Sequence, residues 1–416
     1  MTTVNKNKII IAALAVILAI AIAALIFIRR HPSPQPSPHS AIAARGEGGV
    51  KHLATLMSPD FYDAAYKNAP ATIPALPETV GGIVNHHLLA APLLAQFFDG
   101  LASQKPEHLI IIGPDHLSRG SSPITISAEG WGTAYGDLRP DSALIDQLSN
   151  SGAAHIEEWP FDYEFSVGGL VTFAKRSLPD IDVTTIILRG DASNDALTKL
   201  AAALPRSPDT LVVASLDFSH YLPTDVADFH DLTNREVVSD FDTADLDKIE
   251  IDSIPTLRVA LQYFQLCGAL ADTLVAATNS AKITGKLDTQ ETTSYLNQYF
   301  SVGAKKPFTV KTSLYLGSDG TPPNPLFSKE GADMKIISPE DRFMRGFMSI
   351  DDGSALPADL KKPDLAVGVA RYSDKTVYYL FPTTVEKGTR RLMTAAEERS
   401  YFRQNGIKES IITVQN

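Results

Sequence analysis

The sequence is poor in cysteine, because Cys267 is the only one among 416 residues. A single cysteine excludes an intramolecular disulfide, a CxxC redox pair and a cysteine-rich zinc site. Positive charge is also in deficit, since 37 Lys and Arg face 48 Asp and Glu, which gives a formal net charge of -11. Such a chain lacks the excess of basic charge that binds a nucleic-acid backbone, so nucleic acid is not an expected partner.

Three motifs of common α/β enzymes are also missing from the sequence, namely G-x-S-x-G, G-x-x-x-x-G-K-[ST] and G-x-G-x-x-G. Their absence argues against a nucleophilic-serine hydrolase, a P-loop NTPase and a classical dinucleotide-binding enzyme. The composition is nevertheless that of a folded protein, with 44% apolar and 20% charged residues.

One long apolar run is present, because Ile9–Ile28 contains 20 consecutive apolar residues. A helix of that length spans a hydrocarbon core about 30 Å thick. A cleaved signal peptide has a shorter apolar region, about 7–15 residues, with a small-x-small site close behind it. The run therefore predicts an uncleaved single-pass membrane anchor, with the soluble body outside the cytoplasm. The proline-rich stretch that follows is typical of an extended spacer.

From Gly82 onward, short apolar runs alternate with helical patterns, which is typical of an α/β protein with a mostly parallel central sheet flanked by helices. We divide the chain into a cytoplasmic stub and transmembrane helix (1–30), a linker (31–49), an α/β domain (50–317) and a C-terminal accessory segment of unknown role (318–416). The predicted strands are Leu109–Ile112, Val183–Leu188, Leu211–Ser215, Thr292–Val302 and Thr309–Leu316, and the predicted helices are Leu88–Leu101, Ser142–Leu148, Val167–Ser177, Asn194–Leu204 and Ile254–Ala277.

Polar side chains with ligand chemistry follow three of the apolar stretches. His86 follows the first, His116 follows the second, and Asp217 with His220 follows the third. Ligands of open α/β sheets bind beyond the carboxyl ends of the strands, so we expect these side chains to converge. Imidazole is the commonest metal ligand in proteins and the usual general base near neutral pH. The pattern favours a metal-centred site, while a packing role for each separate histidine stays open.

In this order and spacing the residues resemble the MEMO family, the Memo component of the AmmeMemoRadiSam system. The resemblance runs from about Gly82 to Gly303, and its marks are Ile83–His86, Gly113–His116, Thr133–Leu138 and the S-x-D-F-S-H-Y stretch at Ser215–Tyr221. The family is similar in fold to class III extradiol dioxygenases, which hold iron(II) with two histidines and a carboxylate. The resemblance implies that His86 and His116 are metal ligands, that Asp217 lines the site, and that His220 is an acid-base catalyst.

The sequence departs from the family at two places. The family usually takes its third ligand from a cysteine shortly before a long helix, and aligning that helix places Asp252 at the cysteine position. Asp252 would restore a triad suited to iron(II), although Asp252 or Ser253 ahead of Pro255 also fits a helix N-cap. The family's E-H-S-I-E stretch reads Glu164–Gly168 here, so a histidine and an acid are missing.

The sequence therefore favours a membrane-anchored, metal-dependent oxidoreductase of the dioxygenase-like type, with iron(II) as its metal and an unknown small molecule as its substrate. The alternative is a non-catalytic protein that binds a peptide or a small ligand in the same cleft, and the lost cysteine and histidine favour it. Metal-dependent hydrolysis is a third interpretation, because the same ion would activate a water molecule.

Overall fold

The computed structural model describes residues 51–289, 291–303, 308–316, 351, 353–386 and 389–415. The predicted anchor (1–30) and linker (31–49) lie outside the described part of the chain. Among the residues that are described, none belongs to a helix long and apolar enough to cross a membrane.

Two sheets contain the strands. The strands are β1 (Lys51–Leu53), β2 (Thr79–Val84), β3 (His108–Pro114), β4 (Ile124–Ile126), β5 (Gly130–Thr133), β6 (Gly136–Pro140), β7 (His155–Ile156), β8 (Asp182–Leu188), β9 (Thr210–Ser215), β10 (Ala269–Asn279), β11 (Ser294–Val302), β12 (Lys311–Tyr315), β13 (Leu365–Arg371), β14 (Lys375–Glu386), β15 (Thr389–Leu392) and β16 (Ile411–Gln415).

The helices lie between the strands, as the alternating pattern predicts. The α-helices are α1 (Pro59–Lys67), α2 (Ala91–Leu101), α3 (Ser142–Asn150), α4 (Phe165–Gly168), α5 (Val171–Ser177), α6 (Asn194–Ala203), α7 (Thr224–Ser239), α8 (Ile254–Leu266), α9 (Ser280–Thr284) and α10 (Ala395–Asn405). The helix predicted over Val167–Ser177 is thus divided into α4 and α5.

The large sheet has eleven strands in the order β1-β5-β6-β8-β3-β9-β2-β11-β10, with β4 paired to β8 and β7 paired to β4. Its four central strands, β8, β3, β9 and β2, are parallel, whereas β11 and β10 extend one edge in antiparallel pairs. The prediction of an α/β fold with a central sheet flanked by helices is confirmed, and the antiparallel strands lie toward the edges.

The central strands are apolar throughout because helices cover both faces of the sheet. Successive side chains of a strand point to opposite faces, and in β3 Ile110 and Ile112 enter one core while Leu109 and Ile111 enter the other. The two faces of the sheet thus pack into two separate clusters of buried apolar side chains.

The helix predicted over Ile254–Ala277 is wrong beyond Leu266. Cys267 caps the helix, Gly268 adopts a positive φ of 78°, and the chain returns as strand β10. Leu270 and Leu274 continue the three- and four-residue spacing of the helix, yet they lie in the strand. A single glycine in the left-handed region ends the helix, and the apolar spacing alone does not reveal that stop.

The strand predicted over Thr309–Leu316 lies outside the large sheet. Strand β12 pairs with β13 in a second, five-stranded antiparallel sheet whose other strands come from after residue 364. Helix α7 contacts both sheets, because Phe229 packs into the core of the second sheet and Val237 into that of the first.

Candidate metal centre

Three neighbouring parallel strands position the candidate ligands. His86 follows β2, His116 follows β3, and Asp217 follows β9. Strands β3, β9 and β2 are adjacent, so these residues emerge at the same edge of the sheet. Asp252 arrives from the segment just before α8, and ligand atoms of His86, His116 and Asp252 all lie within 4.8 Å of one another.

Asp252 Oδ2 lies between the two imidazoles. It is 3.4 Å from Nε2 of His86 and 3.8 Å from Nε2 of His116. Two atoms bonded to one metal ion at about 2.1 Å lie at most about 4.2 Å apart, so both separations fit a shared ion. Ser253 caps helix α8 in place of Asp252, because the Ser253 hydroxyl accepts the Thr256 N–H at 3.2 Å. Asp252 therefore remains available to the cluster.

The ring orientation of His86 is fixed by a chain of hydroxyl groups. Ser215 Oγ donates to the carbonyl of Ser166 at 2.5 Å, so it accepts a hydrogen bond from His86 Nδ1 at 3.1 Å. This network assigns the ring proton to Nδ1. The lone pair on Nε2 then points toward Asp252.

The carboxylate of Glu164 fixes the ring orientation of His116. Glu164 Oε1 accepts from His116 Nδ1 and Oε2 accepts from the His116 backbone N–H, both at 2.8 Å. A metal-bound histidine typically donates its other ring N–H to a carboxylate in this way. Glu164 was not among the predicted site residues, although its place as the first acid of the family's E-H-S-I-E stretch was a usable signal.

Burial dominates the electrostatics of His86 and Asp252. Burial and the neighbouring His116 lower the pKa of His86 to about 3, so that imidazole is neutral. Burial raises the pKa of Asp252 well above its usual range, and its Oδ1 has no hydrogen-bond partner among the described residues. A buried carboxylate is costly without a cation or donors. The donor set and the unpartnered oxygen therefore fit a divalent metal ion.

His116 differs from His86 in its protonation. Burial lowers the pKa of His116, but the hydrogen bond and the charge of Glu164 outweigh burial and leave that pKa raised. The same pair lowers the pKa of Glu164 against the effect of its own burial. The two groups thus stabilise each other's charged forms.

Asp217 lies beside the cluster and links its members. Its Oδ1 accepts the His86 N–H at 3.1 Å, and its own N–H donates to Asp252 Oδ2 at 3.1 Å. Burial raises the pKa of Asp217, while the charge of His220 acts to lower it. His220 is half-buried, so the structure brings Asp217 into the cluster and leaves His220 at its border.

Two aromatic contacts at the site were not predicted. The ring of Phe165 stacks on His116 with centroids 4.3 Å apart and 17° between planes, at the position where the family resemblance expects a histidine. The second joins Tyr295 to His87, the residue after His86, with the Tyr295 hydroxyl 2.7 Å from His87 Nδ1.

A second cluster of a histidine with acids lies around His52 on β1. His52 Nδ1 is 2.8 Å from Asp162 Oδ1, and its Nε2 is 3.1 Å from Glu158 Oε2 and 3.9 Å from Glu129 Oε2. Burial lowers the pKa of His52, but the bonds to Glu158 and Asp162 outweigh it and raise that pKa. Carboxylate oxygens thus face both ring nitrogens, an arrangement that favours the protonated imidazole.

The fold and the site define a class, an α/β protein with a two-histidine, one-carboxylate cluster at the carboxyl ends of its central strands. The family model described as Memo-like protein matches residues 78–296, more than half of the chain. The chain belongs to the Memo-like protein family.

Individual relatives agree with this assignment. A MEMO1 family protein of Nitrosopumilus maritimus is 24% identical over 217 residues, which cover 50% of this chain and 76% of the relative. One of Desulfurococcus amylolyticus is 28% identical over 213 residues, covering 48% and 70% respectively. A third, of Aquifex aeolicus, is 24% identical over 205 residues, covering 47% and 76%.

Proposed function

We propose that this chain binds a divalent metal ion at His86, His116 and Asp252 and acts as a metal-dependent, dioxygenase-like oxidoreductase on a small molecule. The observation that carries the proposal is the meeting of two imidazole Nε2 atoms with a buried carboxylate that has an unpartnered oxygen. Two histidines and one carboxylate suit iron(II), because they leave coordination positions open.

Bound at these residues, iron(II) would supply the one-electron and oxygen chemistry that amino-acid side chains lack. The protein's own residues would orient and protect the centre. Glu164 and Ser215 fix the two imidazole rings, and Phe165 covers one face of His116. His220 lies at the border of the site beside Asp217, where it would exchange a proton with the substrate.

The test is the metal content of the full-length protein after loading with iron(II) under anaerobic conditions. We expect about one metal ion per chain in the wild type and none in the variant that carries both His86→Ala and His116→Ala. The exposed His155 provides a matched control, since His155→Ala removes an imidazole elsewhere. No stoichiometric metal in the wild type, or full metal in the double variant, would refute the proposal.

A non-catalytic binding protein is the second candidate. Phe165 favours it, because an apolar ring occupies the position of a family histidine and removes a group that can transfer a proton. In that case, the protein loaded with iron(II) would consume oxygen no faster than a control without protein. Ligand binding would then survive removal of the metal.

We further propose that residues 9–28 anchor the chain in a membrane and that the body lies outside the cytoplasm. The support is the uninterrupted apolar run of 20 residues followed by a proline-rich spacer. Such an anchor would confine the reaction to substrates near a membrane surface.

A further inference from the structure

Two loops leave the candidate metal centre side by side. One carries His116 and the other carries Glu164, and these two residues form the first link between them at 2.8 Å. The last link joins Ser121 to Glu157, whose Oε2 accepts from the Ser121 N–H at 2.8 Å and from its hydroxyl at 2.7 Å. Arg119 lies between these links on the first loop, and Tyr163 lies between them on the second, one residue before Glu164.

The side chain of Arg119 contacts aromatic rings and, within the described ranges, pairs with no acidic residue. Its guanidinium carbon lies 4.3 Å from the ring centroid of Tyr163 and 5.7 Å from that of Trp159. Its backbone N–H donates to Asp115 Oδ1 at 3.1 Å. Among the described residues no carboxylate forms an ion pair with this guanidinium, although the side chain is half-buried. Stacking leaves the in-plane N–H groups free for a carboxylate, which the guanidinium fork binds bidentately.

An apolar rim accompanies the arginine. Leu117, Trp159, Tyr163, Phe165 and Tyr221 have exposed fractions between 43% and 62%, and each is within a few residues of a member of the candidate site. Exposed apolar side chains grouped around a polar centre indicate a binding surface. Since the chain has a net charge of -11, an anion that approaches this rim needs a local cation.

We propose that Arg119 and this rim form the substrate subsite of the metal centre and select a small molecule with an apolar body and one carboxylate. This proposal rests on the proposed function, because the bound molecule is a substrate only if the metal centre is catalytic. His116 and Arg119 are three residues apart, so their Cα atoms are separated by at most about 11 Å. In the proposed subsite, one ligand of modest size would span the guanidinium and the metal ligands.

The test compares 4-phenylbutyrate with its uncharged amide, two probes of the same length. We expect the full-length protein to bind the acid at least about tenfold more tightly in calorimetry, the effect of one charge-assisted hydrogen bond. Arg119→Gln should bring the two affinities within about twofold of each other, while Arg119→Lys should keep part of the preference. Arg139→Gln is the matched control, because Arg139 is paired with Asp182 away from the site.

Tryptophan fluorescence locates the bound probe. Trp131 is fully buried and Trp159 is exposed, so a signal that disappears in Trp159→Phe reports binding at the rim. Equal affinity for acid and amide, binding of neither, or a preference that persists in Arg119→Gln would overturn the proposal.

Repeating the titrations on metal-free and metal-loaded protein separates this proposal from the proposed function. If the protein binds metal but shows no preference for the acid, only the subsite is refuted. If it prefers the acid but binds no metal, only the metal-dependent function is refuted.

Discussion

The cluster around His86 and the cluster around His52 contain the same kinds of side chain in opposite states. Both histidines are almost completely buried, and both lie near at least two carboxyl groups. The hydroxyl of Ser215 holds His86 Nδ1, so burial dominates and its pKa falls to about 3. Carboxylates hold both nitrogens of His52, so its pKa rises.

The difference shows that residue types alone do not define a metal site. A histidine is prepared for a metal ion when a neighbour fixes one ring nitrogen and leaves the other with a free lone pair. His86 and His116 meet this condition, and Asp252 adds an unpartnered oxygen. His52 does not, because carboxylate oxygens contact both of its ring nitrogens.

The largest expected difference between the two clusters is the loss of metal affinity when Asp252 is substituted. Loss of an outer partner typically costs about 10–100-fold in metal affinity, so Asp252→Asn, which removes the charge of a ligand, should cost at least about 100-fold. Asp252→Cys should stay within about tenfold of the wild type, because the family resemblance places a thiolate there. Affinities are measured by competition with an iron(II) chelator.

The control for this comparison is Glu158→Gln in the His52 cluster, which should leave the metal affinity unchanged. If Asp252→Asn binds iron(II) as tightly as the wild type, or if Glu158→Gln weakens it equally, the two clusters are not distinct in the way proposed.

A smaller effect is expected at His52, this time on stability. His52→Gln removes hydrogen bonds to two carboxylates that are themselves partly exposed, and we expect a loss of about 2–3 kcal/mol in the free energy of unfolding at pH 6. Urea denaturation measures it. His155→Gln on the surface should stay within about 0.5 kcal/mol, and metal content should not change. An unaltered urea midpoint in His52→Gln would show that the hydrogen bonds of His52 do not stabilise the fold.

Much of this arrangement was accessible from the sequence, because the central strands are apolar on both faces and end in characteristic residues. His116 and Asp217 follow strands that the sequence predicts, and His86 follows a short apolar stretch. Asp252 was placed by the family resemblance, and its freedom from capping became evident only with the Ser253 hydrogen bond to Thr256.

The rest depends on contacts between distant parts of the chain. Glu164 reaches His116 across 48 positions, and Ser215 reaches His86 across 129. Apolar periodicity also predicted a helix that is too long. The chain turns at Gly268, which has a positive φ, and the residues expected to end the helix form β10. His52 precedes the segment that resembles the family, so no motif pointed to it.

The smallest and most discriminating effect is the pH dependence of stability in metal-free protein. The pKa of His52 is raised, so its stabilisation is complete below the unfolded value of about 6.5 and is lost as pH rises through the folded pKa. The pKa of His86 is lowered to about 3, so its neutral form favours folding above about 6.5, and that contribution is lost as pH falls toward 3.

The two histidines should therefore shape opposite limbs of the stability curve, each with a slope of at most about 1.4 kcal/mol per pH unit. Urea midpoints measured from pH 4 to 9 with a chelator present would show it. His52→Gln should flatten the decline on the alkaline side, and His86→Gln should flatten the decline on the acid side. If both variants flatten the same limb, the pKa values of the two histidines are shifted in the same direction. The proposed distinction between the two clusters would then be wrong.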